Sequence, residues 1–247
     1  MLEARGVSKS FGGLKAVVGV NMEVPAGSIR AVVGPNGAGK TTLFALISGF
    51  LTPDSGRIRF VGDDITGQKP ERICARGLVR TFQITQPFAG LTVRENVAVG
   101  AHLRHESRAS ALRHAQAIAA RVGLGDRLDQ PADQLTVAAR KRLELARALA
   151  TDPKLLLLDE VMAGLNPTEV QEIVAIVRRI RDDLGVTVLL IEHVMQAVMS
   201  LAEHVLVLNQ GTAIAEGTPA AIAADPRVVE AYLGHGAASR MTGAGDA

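Results

Sequence analysis

Gly34-Pro35-Asn36-Gly37-Ala38-Gly39-Lys40-Thr41 fits the pattern G-x-x-x-x-G-K-[ST] and stands between a short β-rich run, Ile29 to Val33, and a stretch with Leu43, Leu46, Ile47 and Phe50 at helical spacing. Strand, glycine loop and helix in that order leave few folds open. In such a loop the backbone amides wrap phosphate oxygens and the helix N-terminus adds positive potential. Lys40 is expected to reach the β- and γ-phosphates, and Thr41 to put its hydroxyl on Mg²⁺, a hard ion that prefers oxygen ligands. Gly49 and Pro53 mark the end of the helix.

The rest of the chain extends this half of a βαβ unit. Residues 155–158, 186–191 and 205–208 are short apolar runs with helical stretches between them, which predicts a mostly parallel core sheet covered by helices. Residues 17–24 and 58–61 are β-like and separated by turns, so an N-terminal β portion precedes the core. From about Pro87 to Thr151, alanine, arginine and leucine dominate and β-branched runs thin out. This stretch reads as an inserted helical subdomain. The expected division is therefore 1–86 and 152–234 for a nucleotide-binding core, 87–151 for the helical insertion, and 235–247 for a small, polar, disordered tail.

Leu155 to Leu158 lead directly into Asp159 and Glu160. An apolar strand thus delivers two carboxylates at its C-terminal end, where open α/β sheets bind ligands. An acidic pair in that position commonly serves only to cap a helix. Beside the phosphate loop, Asp159 suits Mg²⁺ coordination and Glu160 suits general-base activation of water.

Composition removes several function classes. Aromatic residues are 3% of 247, with no Trp and one Tyr, so stacked platforms for single-stranded nucleic acid are excluded. With 27 basic against 25 acidic residues the formal charge is +2, too small a field to hold a polyanion. A single cysteine, Cys74, forms no internal disulfide and is expected to be a small buried apolar residue in a reducing compartment. No apolar run reaches the eighteen or so residues of a membrane span. His102, His105 and His114 lie in an arginine-rich stretch without a further ligand at a recognised spacing, and they are expected on a solvated helix face with Arg104, Arg108, Arg113 and Arg121.

The loop at 34–41, Gln83 after Arg80-Thr81-Phe82, Leu135-Thr136-Val137-Ala138-Ala139, Asp159-Glu160 and His193 stand in the order found in ATP-binding cassette ATPases, and the resemblance covers nearly the whole chain. Within that superfamily it is most similar to the ATPase subunits of branched-chain amino acid importers. The residues that carry this are 11–16, 80–83, Leu91-Thr92-Val93-Arg94-Glu95-Asn96-Val97, 163–167, Ile191-Glu192-His193, Gly217-Thr218-Pro219 and 230–234. The resemblance implies an α/β P-loop NTPase fold and an ATP-hydrolysing subunit with ATP and Mg²⁺ as cofactors.

By position, it implies a nucleotide site from Phe11 on the adenine, residues Gly34, Pro35, Asn36, Gly37, Ala38, Gly39, Lys40, Thr41 and Thr42 on the phosphates, and Thr136 and Ala138 from the signature segment. Thr41, Gln83 and Asp159 would hold the metal, and Glu160, His193 and Gln83 would serve hydrolysis. The implied partners are a second cassette, identical or not, integral membrane permeases docked near residues 83–91 with Phe88 as an apolar contact, and indirectly a substrate-binding protein; nucleic acid is not expected. The chain would sit on the cytoplasmic face of the membrane through the permeases.

Two residues depart from the family pattern. Ala138 occupies the usual glycine of the signature, where a left-handed conformation would resist alanine, and Asn166 stands where many cassettes have aspartate. The competing readings are a small-molecule kinase, which needs no signature segment or His193, a lipid-export cassette, and a soluble cassette acting on nucleic acid or ribosomes. This chain has neither the tandem cassettes nor the long coiled-coil insert usual in the last class.

Overall fold

A computed structural model describes residues 1–81 and 86–233. In chain order the elements are β1 (Leu2–Phe11), β2 (Leu14–Val24), β3 (Ile29–Val33), α1 (Lys40–Ile47), β4 (Ser55–Phe60), β5 (Asp63–Asp64), α2 (Pro70–Ala75) and β6 (Leu78–Arg80). Three helices follow, α3 (Val93–Ala101), α4 (Arg108–Arg121) and α5 (Val137–Leu149), with short 3-10 turns at Gly125–Arg127 and Ala132–Gln134. The chain continues through β7 (Leu155–Asp159), α6 (Pro167–Leu184), β8 (Thr187–Ile191), α7 (Met195–Leu201), β9 (His204–Asn209), β10 (Thr212–Gly217), α8 (Pro219–Ala223) and α9 (Pro226–Leu233). The chain divides into two compact units, residues 1–69 with 189–247, and residues 70–188.

In the first unit β1 pairs antiparallel with both β2 and β4, and β4 with β5, giving the antiparallel N-terminal sheet. Alternation along β1 sends Leu2, Ala4 and Val7 to full burial while Glu3 and Arg5 stay outside, as a half-buried strand requires. The core strands are of the other kind. β3 runs parallel to β9 in the register Arg30 to His204 through Val33 to Val207, and β9 turns antiparallel into β10. Apart from Arg30, β3 is buried along its length, the continuous apolar run of a strand covered on both faces.

The second unit has the same parallel pairing. β6 lies parallel to β7 in the register Leu78 to Leu155 through Arg80 to Leu157, and Leu155 to Leu158 are all 0% exposed. α6 shows why its residues fold as a helix. Val170, Ile173, Val174, Val177 and Ile180 recur on one buried face. Asn166 caps the N-terminus, accepting from Glu169 N at 3.0 Å while Glu169 Oε2 accepts from Asn166 N at 2.9 Å, and Gly185 at φ 65° ends the last turn. The asparagine that departs from the family pattern is thus a working cap. The helical stretch expected from the alanine, arginine and leucine bias is α3, α4 and α5, which pack on one another.

Some local expectations are corrected. α1 ends at Ile47, so Phe50 lies beyond it and is 50% exposed. Cys74 is only half-buried on α2, and burial raises its thiol pKa. Arg104 is exposed, as expected, but its guanidinium also donates to the carbonyls of Ala75 at 2.8 Å and Thr151 at 3.3 Å. The tail at 235–247 and Gln83 lie outside the described residues. Among the described residues no helix is long and apolar enough to cross a membrane.

Candidate nucleotide site

In the first unit, the loop between β3 and α1 lines a cavity of about 600 Å³ together with Phe11, Leu14, Lys15, Ala16 and Gln210. That size suits a small organic ligand. The loop's shape is enforced by close backbone contacts. Gly34 (φ 151°) and Gly39 (φ 101°) hold conformations that L side chains rarely adopt, and a Cβ built on them would come 2.1 Å from Leu208 O and 2.2 Å from Ala16 O. Only glycine fits either position.

The β9–β10 turn braces the loop from the side. Gly211 N donates to Ala38 O at 3.0 Å, and Val18 N donates to Gly211 O at 2.8 Å. Gln210, at φ 47°, is a wall of the same cavity. The sequence reading missed this turn. Its only local signal was a polar Gln-Gly pair between apolar runs, and the loop it supports lies about 170 residues earlier.

Lys40 is buried and its Nζ donates to the carbonyls of Gly34 at 2.8 Å and Pro35 at 2.9 Å, so the ammonium is held over the loop. Thr41, next on α1, is exposed and Thr42 half-exposed. Phe11 ends β1 with its ring 47% exposed and the Lys9 ammonium 5.8 Å from its centre. An exposed ring at a cavity edge is an available stacking face, whereas a core phenylalanine would be covered. His193 follows β8 and is also exposed.

The second unit holds the acidic pair. Asp159 ends β7 and is 1% exposed. Its Oδ2 accepts from Arg80 Nη2 at 2.7 Å, and Arg80 itself is 8% exposed in its side chain, so the pair is buried. The other oxygen, Oδ1, is buried and has no hydrogen-bond partner among the described residues. Buried carboxylate oxygens are normally satisfied, and one left over at the end of a parallel strand fits a hard divalent cation such as Mg²⁺. Arg80 is a residue to which the sequence reading gave no role of its own.

Glu160, the next residue, has φ 50°, an unusual conformation for a non-glycine residue and one that clusters at functional positions. The Lys141 ammonium donates to its carbonyl at 3.3 Å, fixing the backbone there. At the start of α5, Thr136 is the N-cap and its Oγ1 accepts from Ala139 N at 3.3 Å. Ala138 sits inside the first helical turn, buried, and is not among the residues of positive φ. The left-handed conformation that would have resisted alanine is therefore not used.

With this geometry in hand, comparison with known proteins gives a consistent result. The ABC transporter family matches residues 17–163, and a second family, described as branched-chain amino acid ATP-binding cassette transporter, matches residues 214–238. The chain belongs to the ABC transporter family. Membership in this family makes it an ATP-hydrolysing enzyme.

The chain is 40% identical to the high-affinity branched-chain amino acid transport ATP-binding protein BraF of Pseudomonas aeruginosa, over 95% of this chain and 98% of the relative. It is 38% identical to the corresponding protein LivG of Escherichia coli K12, with the same coverage. Among solved structures it superimposes on a nucleotide-free ATP-binding cassette from an ABC transporter with a TM-score of 0.87 at 34% identity, covering 95% of this chain and 99% of that one. The ADP conformation of an ATP-binding cassette gives a TM-score of 0.86 at the same identity and coverage.

Proposed function

We propose that this ABC ATPase powers import of branched-chain or closely related amino acids through membrane permeases fed by a substrate-binding protein, working as one of two cassettes on the cytoplasmic face. The observation that carries the reading is the full-length likeness to BraF, joined to the C-terminal match at residues 214–238. That second match is what favours amino acid import over the export and non-transport cassettes with which the phosphate loop is shared.

In this reading Phe11 covers the adenine and the amides of residues 34–42 receive the phosphates of ATP. Lys40 turns its ammonium from the carbonyls of Gly34 and Pro35 to the β- and γ-phosphates, exchanging neutral acceptors for charged ones. Asp159 Oδ1, the orphaned oxygen, would be a ligand for Mg²⁺, and the Thr41 hydroxyl and the Gln83 amide would be the other protein groups expected to serve that ion. Mg²⁺ when bound neutralises charge on the phosphate oxygens.

Glu160 takes a proton from the water that attacks the γ-phosphorus, the bond to the ADP oxygen breaks, and inorganic phosphate leaves. His193 hydrogen-bonds the γ-phosphoryl oxygens during that step. Thr136 and the amide of Ala138 serve the nucleotide of the partner cassette, where the helix N-terminus favours negative charge.

Permease docking is assigned to the surface around Phe88. This ring is 45% exposed and lies under the Arg147 guanidinium at 4.6 Å. Its backbone is fixed by the fully buried Asn96, whose Oδ1 accepts from Phe88 N at 2.9 Å and whose Nδ2 donates to Phe88 O at 3.1 Å.

The test is leucine-stimulated ATPase of the chain assembled with its permeases and binding protein. Glu160→Gln is expected to keep ATP binding and to lose more than about a hundredfold in turnover. Robust basal ATPase without stimulation by any branched-chain amino acid would overturn the import reading alone, whereas near-wild-type turnover in Glu160→Gln would remove Glu160 from the chemistry.

A further inference from the structure

We propose that His105, His114 and Asp152, all in the second unit, form a binding site for a divalent transition-metal ion of the zinc type, apart from the nucleotide site. The three residues come from different segments: the loop between α3 and α4, the middle of α4, and the turn between α5 and β7. Their ligand atoms all lie within 4.8 Å of one another. The sequence reading placed both histidines on a solvated face. They are instead half-buried, and their rings stand 4.5 Å apart at 35°. His102, the remaining histidine of that stretch, is exposed and outside the group.

Among the described residues the two imidazole Nε2 atoms have no hydrogen-bond partner. His105 Nδ1 is 2.9 Å from Ser110 Oγ, which fixes the ring's orientation, while its Nε2 is buried and makes no hydrogen bond. This is the usual order of a metal-binding imidazole, one nitrogen held by a neighbour and the other free for the ion. His114 Nε2 is also buried without a hydrogen bond and lies 3.2 Å from Asp152 Oδ1. Ligand bonds of about 2.0 to 2.1 Å in a tetrahedron put neighbouring donor atoms about 3.3 Å apart, so this edge is already set. His105 supplies the third corner, its ligand nitrogen within 4.8 Å of the other two donor atoms.

The backbone supports the cluster as well. Asp152 sits at φ 53°, a left-handed conformation that aspartate tolerates, and its N–H donates to Leu149 O at 3.0 Å. Arg104, immediately before His105, donates to Thr151 O, immediately before Asp152. The loop and the turn are therefore tied together independently of any ion.

Two imidazole nitrogens and one carboxylate oxygen select for zinc and its first-row neighbours over Mg²⁺ and Ca²⁺, which take oxygen ligands. Three protein ligands leave a fourth position for water. The ion would pin α4 to the turn ahead of β7 and stiffen the helical part of this unit.

The experiment is calorimetric titration of the metal-stripped full-length chain with Zn²⁺ in millimolar Mg²⁺ and without nucleotide, with circular dichroism on every variant. One Zn²⁺ per chain and a rise in melting temperature are expected. His114→Gln and Asp152→Asn should each weaken binding by more than about a hundredfold, since losing an outer hydrogen bond alone costs ten- to a hundredfold, and Ser110→Ala by about tenfold. His102→Gln should change nothing. Asp152→Asn keeps the exposed turn foldable, because asparagine also accepts the left-handed conformation, and it decides the matter if His114→Gln unfolds. Absence of stoichiometric Zn²⁺ binding, or binding that survives Asp152→Asn undiminished, would overturn the site.

Discussion

The loop at 34–39 and the start of α5 at 136–139 are both assigned to present backbone amides to phosphate, yet they tolerate sequence change differently. In the loop the amides are aimed by left-handed glycines packed against carbonyls, with Ala16 O only 2.2 Å from where a Cβ on Gly39 would stand. At α5 the amides are aimed by an ordinary helical turn capped by Thr136. A helix start presents its free N–H groups whatever side chain follows, so alanine can replace glycine there. The contrast teaches that a glycine in a phosphate motif is obligatory only where backbone sits against backbone.

The largest expected effect comes from putting that rule under strain. Gly39→Ala must move the loop, because neither the φ of 101° nor the neighbouring carbonyl can accommodate a methyl group. If two amides lose their charge-assisted bonds to the phosphates at about 1.5 to 3 kcal/mol each, ATP affinity falls by roughly a hundredfold or more. Calorimetry with ATP checks this. Near-wild-type affinity would mean that loop shape does not set phosphate binding.

A second substitution sharpens the contrast between side-chain and backbone control. Arg80→Met removes the guanidinium that donates to Asp159 Oδ2 and leaves a carboxylate that is 1% exposed without that counter-charge. Breaking a buried pair on one side costs about 3 to 5 kcal/mol. Urea denaturation should show a loss of that order, and Mg²⁺-dependent ATP binding should weaken in parallel as the carboxylate loses the partner that fixes its position. Unchanged stability would show that Asp159 finds another partner.

How much of this was legible in the sequence follows from the range over which each feature is encoded. The loop, its strand and its helix are contiguous, and the apolar run before Asp159 marks a strand end unaided, so both could be read directly. The Arg80–Asp159 pair joins residues 79 apart, and Gln210 reaches a loop far earlier in the chain. Neither has a local pattern. The histidines failed for a related reason: their spacing suggested one helix face, but His105 lies in the loop before α4 and its companion Asp152 lies 47 residues later, held there by a left-handed turn that no periodicity announces. Thr136, expected to donate its hydroxyl to phosphate, also accepts from Ala139 N as the cap of α5, which leaves its proton free to donate. A threonine just ahead of a helical stretch carries that capping signal.

The smallest effects test the helix-start side of the comparison. Thr136→Val removes the cap at about 1 kcal/mol of stability, in addition to any bond its hydroxyl donates to phosphate. The two contributions separate by measurement: chemical denaturation of the isolated chain reads the cap, and turnover of the assembled complex reads both. A turnover loss of roughly ten- to a hundredfold beyond the stability change would assign the hydroxyl to the phosphate. Ala138→Gly should do less. Because residue 138 is helical and buried within the single chain, glycine gains no conformation that alanine was denied and loses helix propensity, about 1 kcal/mol or less. Turnover is therefore expected to stay within a few-fold of the parent while the melting temperature falls slightly. A large gain in turnover from Ala138→Gly would show instead that the first turn of α5 must leave its helical conformation during catalysis, and the two phosphate-binding regions would then obey the same glycine rule after all.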